Sequence, residues 1–223
     1  RSVTTLILQA FPYTLKLSLI AALVAWLIGI PAGIVSAVKK NSVLDHLFMG
    51  VSLMGVSMPV FWAALLFQYI FAYKLGWFPV SGTNGWTSYV LPSIVLGWSS
   101  AGTIARLTRS NLLETLEDDY IRTAWAKGLG QSGVIVKHAF KNALLPVITM
   151  MAIQVASLLS GAVITESVFA IPGVGRLAVD AISSRDMPLL QGTVVFTTIL
   201  IILGNLLADV LYSVIDPRIR TDH

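Results

Sequence analysis

The sequence predicts an all-α fold, a polytopic bundle of membrane-spanning helices, on three observations. Hydrophobic residues fill 56% of the 223 positions and charged residues only 12%, about half the roughly 25% of an ordinary soluble domain. The mean hydropathy is +0.80. The apolar residues also come in runs near the roughly 20 residues that cross a bilayer, whereas a soluble core of this size could not hide so much apolar surface.

Five such runs are legible, at about 15–38, 47–73, 89–107, 143–169 and 192–215. Pro31 falls inside the first and is expected to kink it, which neighbouring helices tolerate in a bundle. Pro59 falls near the middle of the second. Orientation follows from where Lys and Arg lie. Lys39 and Lys40 follow the first run, and Lys74 is the lone basic residue after the second. Arg106, Arg109, Arg122, Lys127, Lys137 and Lys141 follow the third. Arg176 and Arg185 follow the fourth, offset by Asp180 and Asp186. Arg218 and Arg220 close the chain. The first, third and last of these segments are therefore expected in the cytoplasm and the N-terminus outside. An outside N-terminus without a leader pattern is awkward. One further N-terminal span upstream, giving six in the intact protein, resolves it.

The net charge of +4 follows membrane topology rather than a nucleic-acid footprint, so no nucleic-acid partner is expected. There is no cysteine, which excludes disulfides and thiolate chemistry. His46, His138 and His223 show no ligand spacing, so no metal site is expected. No Gly-x-x-x-x-Gly-Lys-Ser/Thr loop occurs, so the chain is not expected to bind or hydrolyse ATP. A hydrolase would need a nucleophile–base pair, and none is evident.

Between the third and fourth runs sits DDYIRTAWAKGLG, residues 118–130. Asp118 and Asp119 suit the start of a helix, where carboxylates accept bonds from free N–H groups and face the positive dipole end. Ile121, Ala124, Trp125 and Gly128 or Leu129 follow as a short amphipathic stripe, with Arg122 and Lys127 off it. Gly128 and Gly130 can stop a helix in the left-handed conformation. Ser132 is placed to cap a second helix over 133–142, with Lys137, His138 and Lys141 near the membrane surface. Three readings stay open on these residues: a docking helix, a helix lying in the lipid interface, and a plain loop. The small Ala124, Ala126 and Gly128 suit packing against protein.

Three stretches in order carry a resemblance. YIRTAWAKGLG followed by HAFKNALLP (138–146) resembles the coupling region of importer permeases of the ABC class, in the dipeptide/oligopeptide/nickel branch. TESVFAIPGVGRLAVDAISSRDMPLLQG (165–192) resembles that family's external segment, with Glu-x-Val-Phe, Pro-Gly-x-Gly and Arg-Asp-x-Pro elements. DPRIR (216–220) resembles its ending. Where the wider class reads Glu-Ala-Ala-x-x-x-Gly, alignment on Gly128 places Arg122, Thr123 and Ala124, so no role of that glutamate carries over to Arg122.

The resemblance implies one transmembrane domain over 1–223, of the type I methionine-importer-like architecture, with a coupling region at 118–142. It implies an inner-membrane permease subunit, not an enzyme, that imports di- or oligopeptides or related solutes such as nickel chelates. Its expected partners are a second permease, two ATP-binding subunits carrying ATP and magnesium, an extracytoplasmic solute-binding protein and the lipid bilayer. For the ATPase contact it implies Asp119, Tyr120, Ile121, Arg122, Thr123, Ala124, Trp125, Lys127, Gly128 and Leu129. For an external gate and substrate pathway the candidates are Glu166, Phe169, Pro172, Gly173, Gly175, Arg185, Asp186 and Gln154.

Several of these candidates have a plainer alternative, and the run Pro172-Gly173-Val174-Gly175 reads first as a turn. Glu166 can instead brace the external turn by pairing with Arg176 or Arg185. Gln154, Ser157 and Ser160 can be the polar glue usual between membrane helices. Asp209, four residues after Asn205, reads as a hydrogen-bonded structural residue or as a proton site. In the rival class, a stand-alone proton- or ion-coupled carrier, Asp209 and Glu166 would titrate. That class commonly shows inverted repeats, which the sequence does not clearly show.

Overall fold

The computed structural model describes residues 2–130, 133–159 and 162–215, with side chains described throughout except at 209 and 211–215. Nine α-helices account for most of it: α1 (Val3–Val38), α2 (Val43–Ser57), α3 (Val60–Phe67), α4 (Val90–Leu116), α5 (Asp119–Ala126), α6 (Phe140–Leu159), α7 (Val163–Val168), α8 (Val174–Ser184) and α9 (Met187–Ile215). A π-helical turn extends α3 to Lys74, another (Val134–Ala139) leads into α6, and a 3₁₀ turn (Trp86–Tyr89) leads into α4. No strand occurs among the described residues.

The helices differ from the five apolar runs in instructive ways. α1 starts at Val3, twelve residues before the expected 15, and runs unbroken through Pro12 and Pro31 for 36 residues, roughly 54 Å at 1.5 Å per residue. The second run is not one straight span. Its two halves, Val43–Ser57 and Val60–Lys74, meet at 109°. Met58 is extended at ψ 130°, as expected of a residue before proline, and Pro59 has no N–H to carry the helix on. The third helix continues to Leu116, so Arg106 and Arg109 lie within α4 rather than in a loop. The fourth run divides into α6 and the short α7.

Three helices are long and apolar enough to cross a membrane by length and composition, namely Val3–Val38, Val134–Leu159 and Met187–Ala208, with the bent α2–α3 pair a fourth. α4 falls outside that set although it spans 27 residues. It sits in the middle of the bundle against α1, α2, α3 and α6. Its buried residues include Ser93, Gly97, Gly102, Thr108 and Thr115. A helix surrounded by protein needs small residues for close approach more than an apolar coat. A Cβ on Gly29 of α1 would stand 2.7 Å from the Ala101 carbonyl oxygen, and one on Gly33 would stand 2.5 Å from that of Ala105. The α1 and α4 backbones therefore touch over a full turn.

Two apolar clusters mark the two ends of α1. Leu17 joins Ala64, Tyr89, Leu91, Phe169 and Ile171 toward the N-terminal end. Ala37 joins Leu112, Ile121, Ala124, Val134 and Ala139 at the C-terminal end, with Ile34 packed alongside. α2 is pinned to α4 by an ion pair. Asp45 accepts from Arg109 Nε and Nη2, each at 2.7 Å, and from the Asn41 backbone N–H at 2.8 Å. Ser42 caps α2 by accepting from the Asp45 N–H at 3.3 Å.

Candidate functional site

α5 is a two-turn helix held in place by two residues. Ile121 is fully buried and Ala124 nearly so, seated among Leu112, Val134 and Ala139. Burying an isoleucine side chain contributes about 1.5–3 kcal/mol, enough to seat an eight-residue helix that would not form alone. The expected stripe is narrower than the sequence indicates. Trp125 and Leu129 are 44% and 41% exposed, and Gly128 is exposed as well. A short helix offers few inward positions. Ile121 and Ala124 take them, and the large indole falls outside the rim.

Tyr120 and Trp125 are thus exposed apolar groups on a fixed element, with exposed Leu129 just beyond its end. Tyr120 is steadied by Asn142, whose Nδ2 donates to its hydroxyl at 2.8 Å. Asp118 is the N-cap residue, yet its side chain makes no capping bond, contrary to the expectation. Its backbone carbonyl accepts instead, from Ile121 and Arg122 N–H at 3.0 and 3.2 Å. Arg122 lies 3.5 Å from Asp119, both well exposed, an arrangement that contributes little to stability. Thr123 Oγ1 donates to the Asp119 carbonyl at 3.0 Å. Lys127 is solvated. Gly128 adopts φ +77°, where a side chain is strained, and its N–H bonds the Trp125 carbonyl at 2.9 Å. This is the helix stop expected there. The expected cap Ser132 lies outside the described residues. The expected helix after it begins as the π turn and runs into α6.

Of the candidate gate residues, Gly173 and Gly175 close around one buried carboxylate, that of Glu166. Glu166 on α7 is fully buried. Its Oε1 accepts from the Thr14 hydroxyl of α1 at 2.7 Å, and its Oε2 accepts from the Arg176 backbone N–H at 3.0 Å. Thr14 Oγ1 in turn accepts from the Val174 N–H at 2.8 Å. Val174 and Arg176 lie in the first turn of α8, whose free N–H groups need partners. The N-cap, Gly173, has no side chain to offer, and a Cβ there would collide with the Glu166 carboxyl. One on Gly175 would come within 2.9 Å of Oε2. Glu166 and Thr14 together therefore cap α8 from outside it. Glu166 does meet Arg176, through the backbone rather than the guanidinium.

Phe169 is buried beside Ile171, while Pro172 is exposed on the same turn. The connection after α3 is fastened there too. Gly82 N–H donates to the Phe169 carbonyl at 2.9 Å, and Gln68 Nε2 donates to the carbonyls of Val80 at 2.7 Å and Val168 at 3.3 Å. Arg185 ends α8 at φ +57°. Asp186 starts α9 by accepting from the Leu189 N–H at 3.1 Å. Both are exposed.

Gln154 lies elsewhere, between α6 and α4, with Nε2 donating to the Ser100 carbonyl at 3.1 Å. Ser157 is exposed. Ser160, the Asp209 side chain and the 216–220 ending lie outside what is described. No group of three His, Asp or Glu suited to a metal occurs among the described residues. Thr14, Asn142 and the Asp45–Arg109 pair were not singled out by the sequence. The only signal for any of them was Ser42-Val43-Leu44-Asp45, a capping pattern ahead of an apolar run.

This bundle is the fold of ABC importer membrane domains. It matches an inward-facing structure of the methionine transporter MetNI with a TM-score of 0.80 at 17% identity, covering 95% of this chain and 96% of that one. It matches an amino acid ABC transporter with histidines at 0.69 and 16% identity, covering 96% and 94%. Residues 29–221 match the family described as the binding-protein-dependent transport system inner membrane component, and the chain belongs to that family as a multi-pass membrane transport subunit rather than an enzyme. Curated relatives include the dipeptide transport system permease of Alkalihalophilus pseudofirmus, 45% identical over 95% of this chain and 73% of that protein. The di/tripeptide permease of Pseudomonas aeruginosa is 43% identical over 96% and 72%, and the glutathione transport permease of Escherichia coli 41% over 99% and 72%.

Proposed function

We propose that this chain is a permease subunit of an ATP-driven peptide importer and that α5 is its coupling helix. The observation that carries the reading is exposed Tyr120 and Trp125 on a helix whose other face is fixed by Ile121 and Ala124, with exposed Leu129 just beyond its end. Exposed aromatic groups on a rigid support are what a protein partner grips, and the Asn142 bond keeps Tyr120 oriented. The partners are a second permease, two ATPase subunits that bind ATP and magnesium, and a solute-binding protein that delivers substrate. Small peptides are the cargo, supported by dipeptide, di/tripeptide and glutathione permeases at 41–45% identity.

In this reading the α5 end and the C-terminus face the cytoplasm. ATP-driven closure of the ATPases presses on α5, and the paired bundles rock between outward- and inward-facing states. The outer segment around Phe169, Pro172, Gly173, Gly175, Arg185 and Asp186 borders the external mouth, and Gln154 lies deeper along the route. The test is co-expression with the ATPase subunits and reconstitution with the binding protein. Wild type should co-purify with the ATPases and take up labelled dipeptide only with ATP. Gly128→Asp, which adds bulk and charge beside the exposed face, should lose both. Uptake at the normal rate by Gly128→Asp would overturn the coupling assignment.

A further inference from the structure

α5 and α8 lie toward opposite ends of the chain's fold, and α1 touches the surroundings of both. At one end Ile34 and Ala37 of α1 pack in the same cluster as Ile121 and Ala124 of α5. Toward the other end Thr14 of α1 holds the first turn of α8, directly through the Val174 N–H and indirectly through Glu166. Thr14 and Ala37 lie in one unbroken helix, roughly 35 Å apart at 1.5 Å per residue. The rod does not flex alone, because Gly29 and Gly33 seat it on the α4 backbone.

The chain route from α5 to α8 runs through α6 and α7. α1 offers a second, non-covalent route, and the polar joint at Thr14 is where it ends. That joint is unusually committed. A carboxylate buried completely is costly unless its hydrogen bonds are made. Here those bonds go to one hydroxyl of α1 and to the α8 backbone, and both glycines of the Pro-Gly-x-Gly turn leave room for it.

We propose that Thr14 and Glu166 are positioning residues that tether the outer helix α8 to α1, so that displacement at α5 reaches the outer segment through α1. Neither residue touches substrate in this scheme. Glu166 acts on the outer mouth by fixing the turn 171–176, and cutting the tether uncouples that turn from the ATPase end while leaving both ends folded. The proposal rests on α5 being the coupling helix, and the experiment separates the two.

The complete transporter, with its ATPases and binding protein, is made with Thr14→Val, Glu166→Ala, Glu166→Gln or Thr14→Ser in this chain. Co-purification, ATP hydrolysis and dipeptide uptake are measured for each. The chain has no cysteine, so in cysteine-free partners spin labels can be placed at exposed Leu23 on α1 and Ile182 on α8. Their separation is then read with and without nucleotide.

Thr14→Val and Glu166→Ala should assemble and hydrolyse ATP near the wild-type rate. Uptake should fall roughly tenfold, within the ordinary range of a coupling effect, and the label distance should broaden. Thr14→Ser keeps the hydroxyl and should restore both, while Glu166→Gln, which keeps an acceptor, should fall between. Normal uptake with an unchanged distance in Thr14→Val and Glu166→Ala overturns the tether. Parallel loss of assembly, hydrolysis and uptake in every variant overturns it as well, leaving a purely structural cap. A wild-type chain that never binds the ATPases sinks the coupling-helix reading instead, and the label distances still decide the tether.

Discussion

Asp45 is 2% exposed and receives three hydrogen bonds, two of them from Arg109. Removing one partner of such a pair strands the other charge, which costs about 3–5 kcal/mol when fully buried. Arg109 keeps 26% exposure, so Asp45→Ala should cost near the lower figure, about 3 kcal/mol, read as a fall in the melting temperature of purified protein. Asp45→Leu with Arg109→Met should recover most of it. Gly128 is a backbone requirement instead. Its added Cβ would meet nothing within 4 Å, but φ is +77°, so Gly128→Ala should cost about 1 kcal/mol through strain and Gly128→Asn less. At this scale the stop at Gly128 was legible because a left-handed turn favours glycine locally. The Asp45–Arg109 and Thr14–Glu166 contacts were not, since they join residues 64 and 152 positions apart, and no local pattern carries that information.

α5 was legible as a helix because it is short, bounded and amphipathic. Its inward face was overdrawn, because Trp125 belongs by spacing to the stripe and by size to the outside, and Gly128 and Leu129 are exposed beyond the helix end. Two substitutions separate the faces. Trp125→Ala should leave the melting temperature within the roughly 0.5 kcal/mol typical of surface changes while sharply lowering ATPase co-purification. Ile121→Ala should loosen the helix itself, and limited proteolysis should then cut near 126–130 much faster than in wild type. The bend between α2 and α3 was half legible. Pro59 marked the place, but a kink within one helix and a 109° turn between two share the same sequence signal. What separates them is the extended Met58 and the packing of Ala63 and Ala64 against Leu17 and Tyr89.

Across the whole molecule, the apolar runs indicated the class of fold because a helix facing lipid must be apolar along its length. They misplaced ends where a helix runs on beyond the apolar run, as α1 does before residue 15 and α4 does beyond 107. The contact between α1 and α4 is the axis of the fold, and Gly33→Val should force the two apart, giving protein that is degraded rather than merely less active. The polarity of α4 also bears on how the chain is made. A segment with so many hydroxyls, two arginines and so little greasy surface partitions weakly into lipid from the translocon. Offered by itself in an insertion assay, it should cross far less efficiently than α1. During synthesis it emerges after α1, α2 and α3, whose small-residue faces present a protein-lined slot. The order of helices along the gene thus doubles as an order of assembly, in which the polar α4 arrives after α1, α2 and α3 and before α6 closes over it.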